Sequence, residues 1–138
     1  MMIGASSFAG SLSELSHEVR SVELYMPKLH VYNGRSLDRG VLATILDELS
    51  TLDLITSIHA PYSAYSPTYP KELRVDTSNM GPGDLRLMGE SIELAATLGS
   101  KAVVLHPGRI NSDRETSFRN MVSNLKQLAA QAADLGVM

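Results

Sequence analysis

Apolar positions along the chain fall into two alternating patterns, short runs of about five residues and longer stretches at helical spacing. The short runs are Met2 to Ser6, Ser21 to Met26, Leu54 to His59 and Lys101 to Leu105, each read as a strand. Between them lie helical stripes: Leu12, Leu15 and Val19; then Leu42, Ile45, Leu46, Leu49 and Leu52 in a helix from about Leu37; then Leu85, Met88, Ile92, Ala95 and Ala96. A last stripe, Phe118, Met121, Val122, Leu125, Leu128, Ala129 and Ala132, is the clearest amphipathic face in the chain. Ser11-Leu12-Ser13-Glu14 and Ser112-Asp113-Arg114-Glu115 have the spacing of capping boxes, in which hydroxyl and carboxylate satisfy free amides at a helix start. Asp84 is placed to cap the third helix, and Leu98-Gly99 and Leu135-Gly136 to end the third and fourth. Val137-Met138 reads as the start of a fifth strand.

Four strand–helix repeats predict an α/β fold with a parallel sheet and right-handed crossovers. Two architectures fit, an open doubly wound sheet and half of an eight-stranded barrel. The stretch Gly4-Ala5-Ser6-Ser7-Phe8-Ala9-Gly10 lacks the G-x-G-x-x-G spacing of a dinucleotide turn, and no phosphate loop of the G-x-x-x-x-G-K-[ST] type occurs. A connection from Ala60 to Gly83 holds four of the six prolines and three of the five tyrosines; without regular structure, such a length points to function.

The chemistry concentrates where two strands stop. Ile58-His59-Ala60-Pro61-Tyr62 and Leu105-His106-Pro107-Gly108 each place a histidine at the end of an apolar run, with a proline that cannot continue the ladder. If these strands are parallel neighbours, both imidazoles stand at the carboxyl end of the sheet, where parallel α/β folds bind ligands. Two neutral imidazoles are a start for a metal site, and equally are side chains satisfied by hydrogen bonds at strand ends. Around them, Glu23 sits on the second strand near the rim, placed to touch substrate or to form an ion pair inside the barrel. Tyr62, Tyr65 and Tyr69 offer faces to a sugar or a base, or pack the loop among themselves; Lys71, Arg74 and Arg109 offer charge to a phosphate. His17 and His30 have no evident chemical setting.

Composition narrows the field modestly. The chain has 138 residues, 43% hydrophobic and 20% charged, as expected for a single globular domain. Its net charge of -3 creates no field toward nucleic acid or an anionic membrane. Absence of cysteine excludes disulfides and thiolate ligands. No apolar run approaches the length of a membrane span, and the first residues lack the pattern of a secretory signal, so the cytoplasm is the expected location.

At these residues the chain resembles the xylose isomerase-like barrels, the superfamily of sugar isomerases, sugar epimerases and endonuclease IV. His59-Ala60-Pro61-Tyr62 is similar to the third-strand motif of that superfamily, and Val103-Val104-Leu105-His106-Pro107-Gly108 to its fourth. Ile3-Gly4-Ala5 resembles the opening strand, Val22-Glu23-Leu24 the second, and Ser91 to Gly99 the helix before the fourth. The resemblance implies that residues 1–138 are the N-terminal half of a (β/α)8 barrel: four strands, four helices and the start of a fifth strand, with acidic catalytic residues expected beyond Met138. It implies a sugar or sugar-phosphate isomerase or epimerase that depends on a divalent metal, zinc or manganese, in its complete form, with the half alone inactive. His59 and His106 are then metal ligands, and Glu23, Tyr62 and Arg109 contact substrate. One alternative is a zinc-dependent endonuclease at abasic DNA, since the matching histidines of endonuclease IV bind zinc. Against that branch, Ser6 stands where it has a histidine, and Ser63 to Pro70 replaces its asparagine-containing stretch. Another alternative is a non-catalytic half-barrel that self-associates. Exposed barrel edges predict a homodimer in any of these cases.

Overall fold

A computed structural model describes residues 3–64, 66–111 and 113–138. Strand β1 (Gly4–Ser6) leads to helix α1 (Leu12–Glu18), β2 (Ser21–Tyr25), a small hairpin β3 (Tyr32–Asn33) and β4 (Ser36–Leu37), then α2 (Arg39–Ser50) and β5 (Ile55–His59). A connection with one 3-10 turn at Lys71–Leu73 precedes α3 (Pro82–Thr97), β6 (Val103–Val104) and α4 (Arg114–Asp134). Strands β1, β2, β5 and β6 form one sheet in that order, every pair parallel. Each new strand adds beside the last without a reversal of order. That is the topology of a barrel, and it rules out the doubly wound alternative, whose strand order must reverse at a switch point. The backbone of Met138 continues the series: its carbonyl accepts from the Val103 amide at 2.8 Å and its amide donates to Lys101 at 3.2 Å.

Alternation along the strands decides which face is covered. Val22, Leu24 and Ile58 are fully buried against the helices, where each contributes about 1.5–3 kcal/mol. Ser21, Glu23, Tyr25, Ser57 and His59 point to the opposite face and are half-buried. Ile55 and Val104 lie on that same face, 44% and 37% exposed. Leu87, Met88, Ile92 and Ala95 of α3 and Leu128 of α4 complete the core.

Most helix ends follow the predicted chemistry. Ser11 and Glu14 form the expected capping box, and Asp38 caps α2 by accepting from the Gly40 and Val41 amides. Two ends differ. Helix α3 begins at Pro82, one turn earlier than a cap at Asp84 would give, because proline at the first helical position needs no amide partner. The Asp84 carboxylate instead reaches back to the Gly81 amide at 2.9 Å and pairs with Arg35. Of the second capping box, Ser112 lies outside the described residues; Asp113 caps α4, accepting from the Thr116 amide. Gly99 and Gly136 take φ of 66° and 68° just past α3 and α4, the left-handed turn that stops both helices.

The α4 stripe is only partly inside. Leu128 and Ala132 are buried and Met121, Val122 and Leu125 half-buried, but Phe118 and Ala129 are exposed. They sit three turns apart on one flank, which no described element covers. The β3–β4 hairpin was not predicted, although Asn33-Gly34 is a turn signal and Gly34 has φ 60°. It fastens to other elements: Tyr32 Oη lies 3.0 Å from Ser91 Oγ, and Arg35 donates to the Glu72 carbonyl. Among the described residues no helix is long and apolar enough to cross a membrane.

Candidate functional site

His59 closes β5, in register with Tyr25 of β2 and Val104 of β6. His106 follows two residues after β6 ends. The two rings meet at the carboxyl end of the sheet, their centroids 4.8 Å apart and their Nε2 atoms at 2.9 Å. Glu23, two residues before the end of β2, places Oε1 3.0 Å from His59 Nδ1. A carboxylate only accepts, so His59 carries its proton on Nδ1 and presents a lone pair at Nε2. His106 Nε2 must then donate across the 2.9 Å gap. Burial first, and then the neighbouring His59, lower the pKa of His106 below 6.5, with Glu23 opposing.

Aromatic rings wall this chain. Tyr62 stacks on His106 with centroids 4.2 Å apart and planes 18° from parallel, and meets His59 edge-on at 5.1 Å. Tyr25 packs edge-on to His59, and exposed Phe8 edge-on to Tyr25. Burial, and then the Tyr62 hydroxyl, push the Tyr25 phenol well above its ordinary value. Ser7, fully buried and not anticipated from the sequence, accepts from the Tyr25 amide at 2.8 Å and ties β1 to the end of β2.

The long connection is packed rather than open. Tyr69 is buried, its hydroxyl accepting from the Tyr62 amide at 3.1 Å, and burial pushes its pKa up to about 12. It therefore supports Tyr62 and offers no face to a ligand; Tyr65 lies outside the described residues. Lys71 is exposed on the 3-10 turn, and Arg74 donates to the Ser66 carbonyl at 3.1 Å. Arg109 does not stand free in solvent: it is half-buried and donates through Nη2 to the Ser63 carbonyl at 2.7 Å, joining the loops after β5 and β6. Tyr62, Ser63, Ser66, His106, Gly108 and Arg109 line a cleft of about 420 Å³ between those loops. His17 and His30 are exposed.

A second group of residues was not singled out from the sequence. Asp76 Oδ1 accepts from the Ser78 amide and the Arg109 amide, both at 3.0 Å, and Oδ2 accepts from Asn111 Nδ2 at 3.0 Å. Ser78 Oγ lies 2.6 Å from the Arg109 carbonyl, and Thr77 Oγ1 donates to the His106 carbonyl at 3.2 Å. Asn124 of α4 holds the Thr77 carbonyl at 2.9 Å. Burial opposes ionisation of Asp76, but donation from Asn111, Arg109 and Ser78 outweighs it and lowers its pKa. The readable signal was the run Asp76-Thr77-Ser78-Asn79, residues whose short polar side chains bond to nearby backbone.

The donor set bears on a metal. The two Nε2 atoms converge, and a tetrahedral zinc with bonds of 2.0–2.1 Å would separate them by about 3.3 Å, a small opening from 2.9 Å. Glu23 sits behind His59, where a carboxylate orients an imidazole ligand. Among the described residues no group of three or more histidine, aspartate or glutamate side chains is arranged to hold a metal ion. The described residues thus bring together two imidazole nitrogens, with a carboxylate behind one of them.

No curated protein sequence matches the chain. Among solved structures, a D-tagatose 3-epimerase-like protein matches with a TM-score of 0.74 at 19% identity, over 99% of this chain and 51% of that one. D-psicose 3-epimerase, solved in the presence of D-fructose, matches with a TM-score of 0.69 at 14% identity, over 99% and 50%. The IOLI protein with a binding zinc atom matches with a TM-score of 0.60 at 16% identity, over 99% and 49%. The chain spans about half the length of each, and at these identities the likeness is one of fold: four parallel strands and four helices, as in half of a TIM barrel. A family model described as the xylose isomerase-like TIM barrel matches residues 15–138. With that match over most of its length, the chain belongs to the xylose isomerase-like TIM barrel family.

Proposed function

We propose that residues 1–138 form the N-terminal half of a divalent-metal-dependent sugar or sugar-phosphate isomerase or epimerase. The observation that carries this reading is the Glu23–His59–His106 chain at the mouth of the sheet, inside a family fold whose neighbours include a D-psicose 3-epimerase and a zinc-binding protein. His59 and His106 would hold the metal through Nε2, the His106 proton shifting from Nε2 to Nδ1 to free that nitrogen. Bound there, a divalent ion would polarise the carbonyl and hydroxyl oxygens of the sugar. Glu23 keeps the His59 proton on Nδ1, so that Nε2 stays available. Tyr62 holds the His106 ring by stacking and, with Tyr25, restricts water at the pair. The cleft between the β5 and β6 loops leads sugar hydroxyls to His106 and Arg109.

A catalytic zinc needs three protein ligands and an open position, so the remaining ligand and the carboxylates that move the proton come from a second half. The uncovered sheet face, with Ile55 and Val104 exposed on it, is where such a half would close the barrel. Where that half is missing, a second copy of the chain would cover the same face without supplying those carboxylates. Sedimentation should then show a dimer at micromolar concentration; a monomer throughout would remove the homodimer.

The direct test is imidazole NMR with Zn2+ and then D-fructose. With only four histidines, the signals are few. Movement of His59 and His106 with His17 and His30 unchanged supports the reading. Zinc binding without a response to D-fructose or to a sugar phosphate rejects the sugar part of it, and no response to zinc rejects the metal part.

A further inference from the structure

We propose that Asp76 is a positioning residue for His106, the centre of a clamp formed by the Asp76–Ser78 turn on the loop that carries that histidine. The sheet fixes the two histidines unequally. His59 is the last residue of a paired strand, with ladder partners on both sides and Glu23 on its ring. His106 lies two residues beyond the last ladder pair of the two-residue strand β6. What holds its backbone is the turn. Thr77 Oγ1 grips the His106 carbonyl, Asp76 Oδ1 the Arg109 amide, and Ser78 Oγ lies against the Arg109 carbonyl. Asn111 closes the group by donating to both Asp76 and Ser78, and Asn124 anchors Thr77 from helix α4.

The fit of turn to loop is close enough to require glycine between them. A Cβ on Gly108 would stand 2.3 Å from the Ser78 amide nitrogen and 2.7 Å from Asp76 Oδ1. The segment 106–111 is therefore seated on this turn at four successive points. Its seat sets where the His106 ring meets Tyr62 and His59. Asp76 acts through the Arg109 amide just past Gly108, and its neighbour Thr77 holds the His106 carbonyl on the other side.

That His106 has work to do rests on the isomerase reading, but the clamp can be measured without it. Stacking on Tyr62 at 4.2 Å shifts the His106 ring-proton resonances upfield, and Tyr62→Ala supplies the unstacked reference. In Asp76→Ala, the His106 ring signals should move at least halfway to that reference. Asp76→Asn keeps a carbonyl oxygen for the Arg109 amide and should retain most of the parent shift. Ile45→Ala, a core change in α2, which supplies no residue to the clamp, should lower stability and leave the shift in place. Should Asp76→Ala not fold, Thr77→Val removes only the bond to the His106 carbonyl and should give a partial movement. Parent-like shifts in Asp76→Ala or Thr77→Val overturn the proposal, as does an equal movement in Ile45→Ala or a failure of Asp76→Asn to rescue. A negative result here leaves the zinc and sugar titrations standing; a negative result there leaves the clamp standing.

Discussion

Replacing Gly108 by alanine tests the seating of the β6 loop with a single methyl group. The added Cβ would lie 2.3 Å from the Ser78 nitrogen and 2.5 Å from the Ser78 Cβ. That is roughly 1 Å inside ordinary contact, and against backbone rather than a flexible side-chain end. Overpacking of this kind costs about 1–3 kcal/mol. Relief comes only by lifting the loop off the turn, which breaks the Asp76–Arg109 bond, a charge-assisted bond of about 1.5–3 kcal/mol. Either route gives about 3 kcal/mol. For a chain of 138 residues that corresponds to a fall in Tm of about 10 °C. Urea unfolding followed by far-UV circular dichroism should show the midpoint fall with the slope unchanged. Gly83→Ala is the matched control: nothing lies within 4 Å of its added Cβ, and it sits in the first turn of α3, so it should be neutral or stabilising by about 0.5 kcal/mol. A Gly108→Ala protein within about 0.5 kcal/mol of the parent would show that the close approach is not a real constraint.

Other perturbations probe the core, the proton chain and the metal reading. Ile58→Ala removes a fully buried side chain from the central strand and should cost about 3 kcal/mol in the same unfolding assay. Because folding lowers the pKa of His106 from 6.5, the unfolded chain takes up that proton first as pH falls. The contribution of His106 to stability is thus full above pH 6.5 and declines below it until the folded-state value is passed, which urea midpoints across pH 5–8 should show and His106→Gln should flatten. Asp76, whose pKa folding also lowers, contributes stability above 3.8 that is lost as pH falls through its folded value. If zinc binds at the pair, Glu23→Ala should weaken it by about 10–100-fold in calorimetric titration, since the orienting partner of His59 is gone.

The alternation of strand and helix was legible because each strand has one covered face and each helix one stripe, so periodicity carries the information. The meeting of His59 and His106 was legible because both follow apolar runs and precede proline, which stops a strand. Contacts that depend on how a loop folds back were not. Asp76 and Gly108 are 32 positions apart, and nothing periodic links them. Tyr69 reads as a ligand group because a loop sequence gives no measure of burial. The exposure of Phe118 was hidden for the opposite reason: an apolar stripe reports that a flank is to be covered, not that the covering element lies within residues 1–138.

The hairpin at residues 32–37 bears on how the mouth opens. Arg35 holds the Glu72 carbonyl and the Asp84 carboxylate, and Tyr32 reaches Ser91, so the middle of the Ala60–Gly83 connection and its α3 end are fastened from the helix side. Tyr69, Leu73 and Val75 of that connection are buried, which seats its described part on the core. Exchange of small molecules at the histidines is then expected at a rate set by diffusion and affinity, without the slow step that a closing flap imposes.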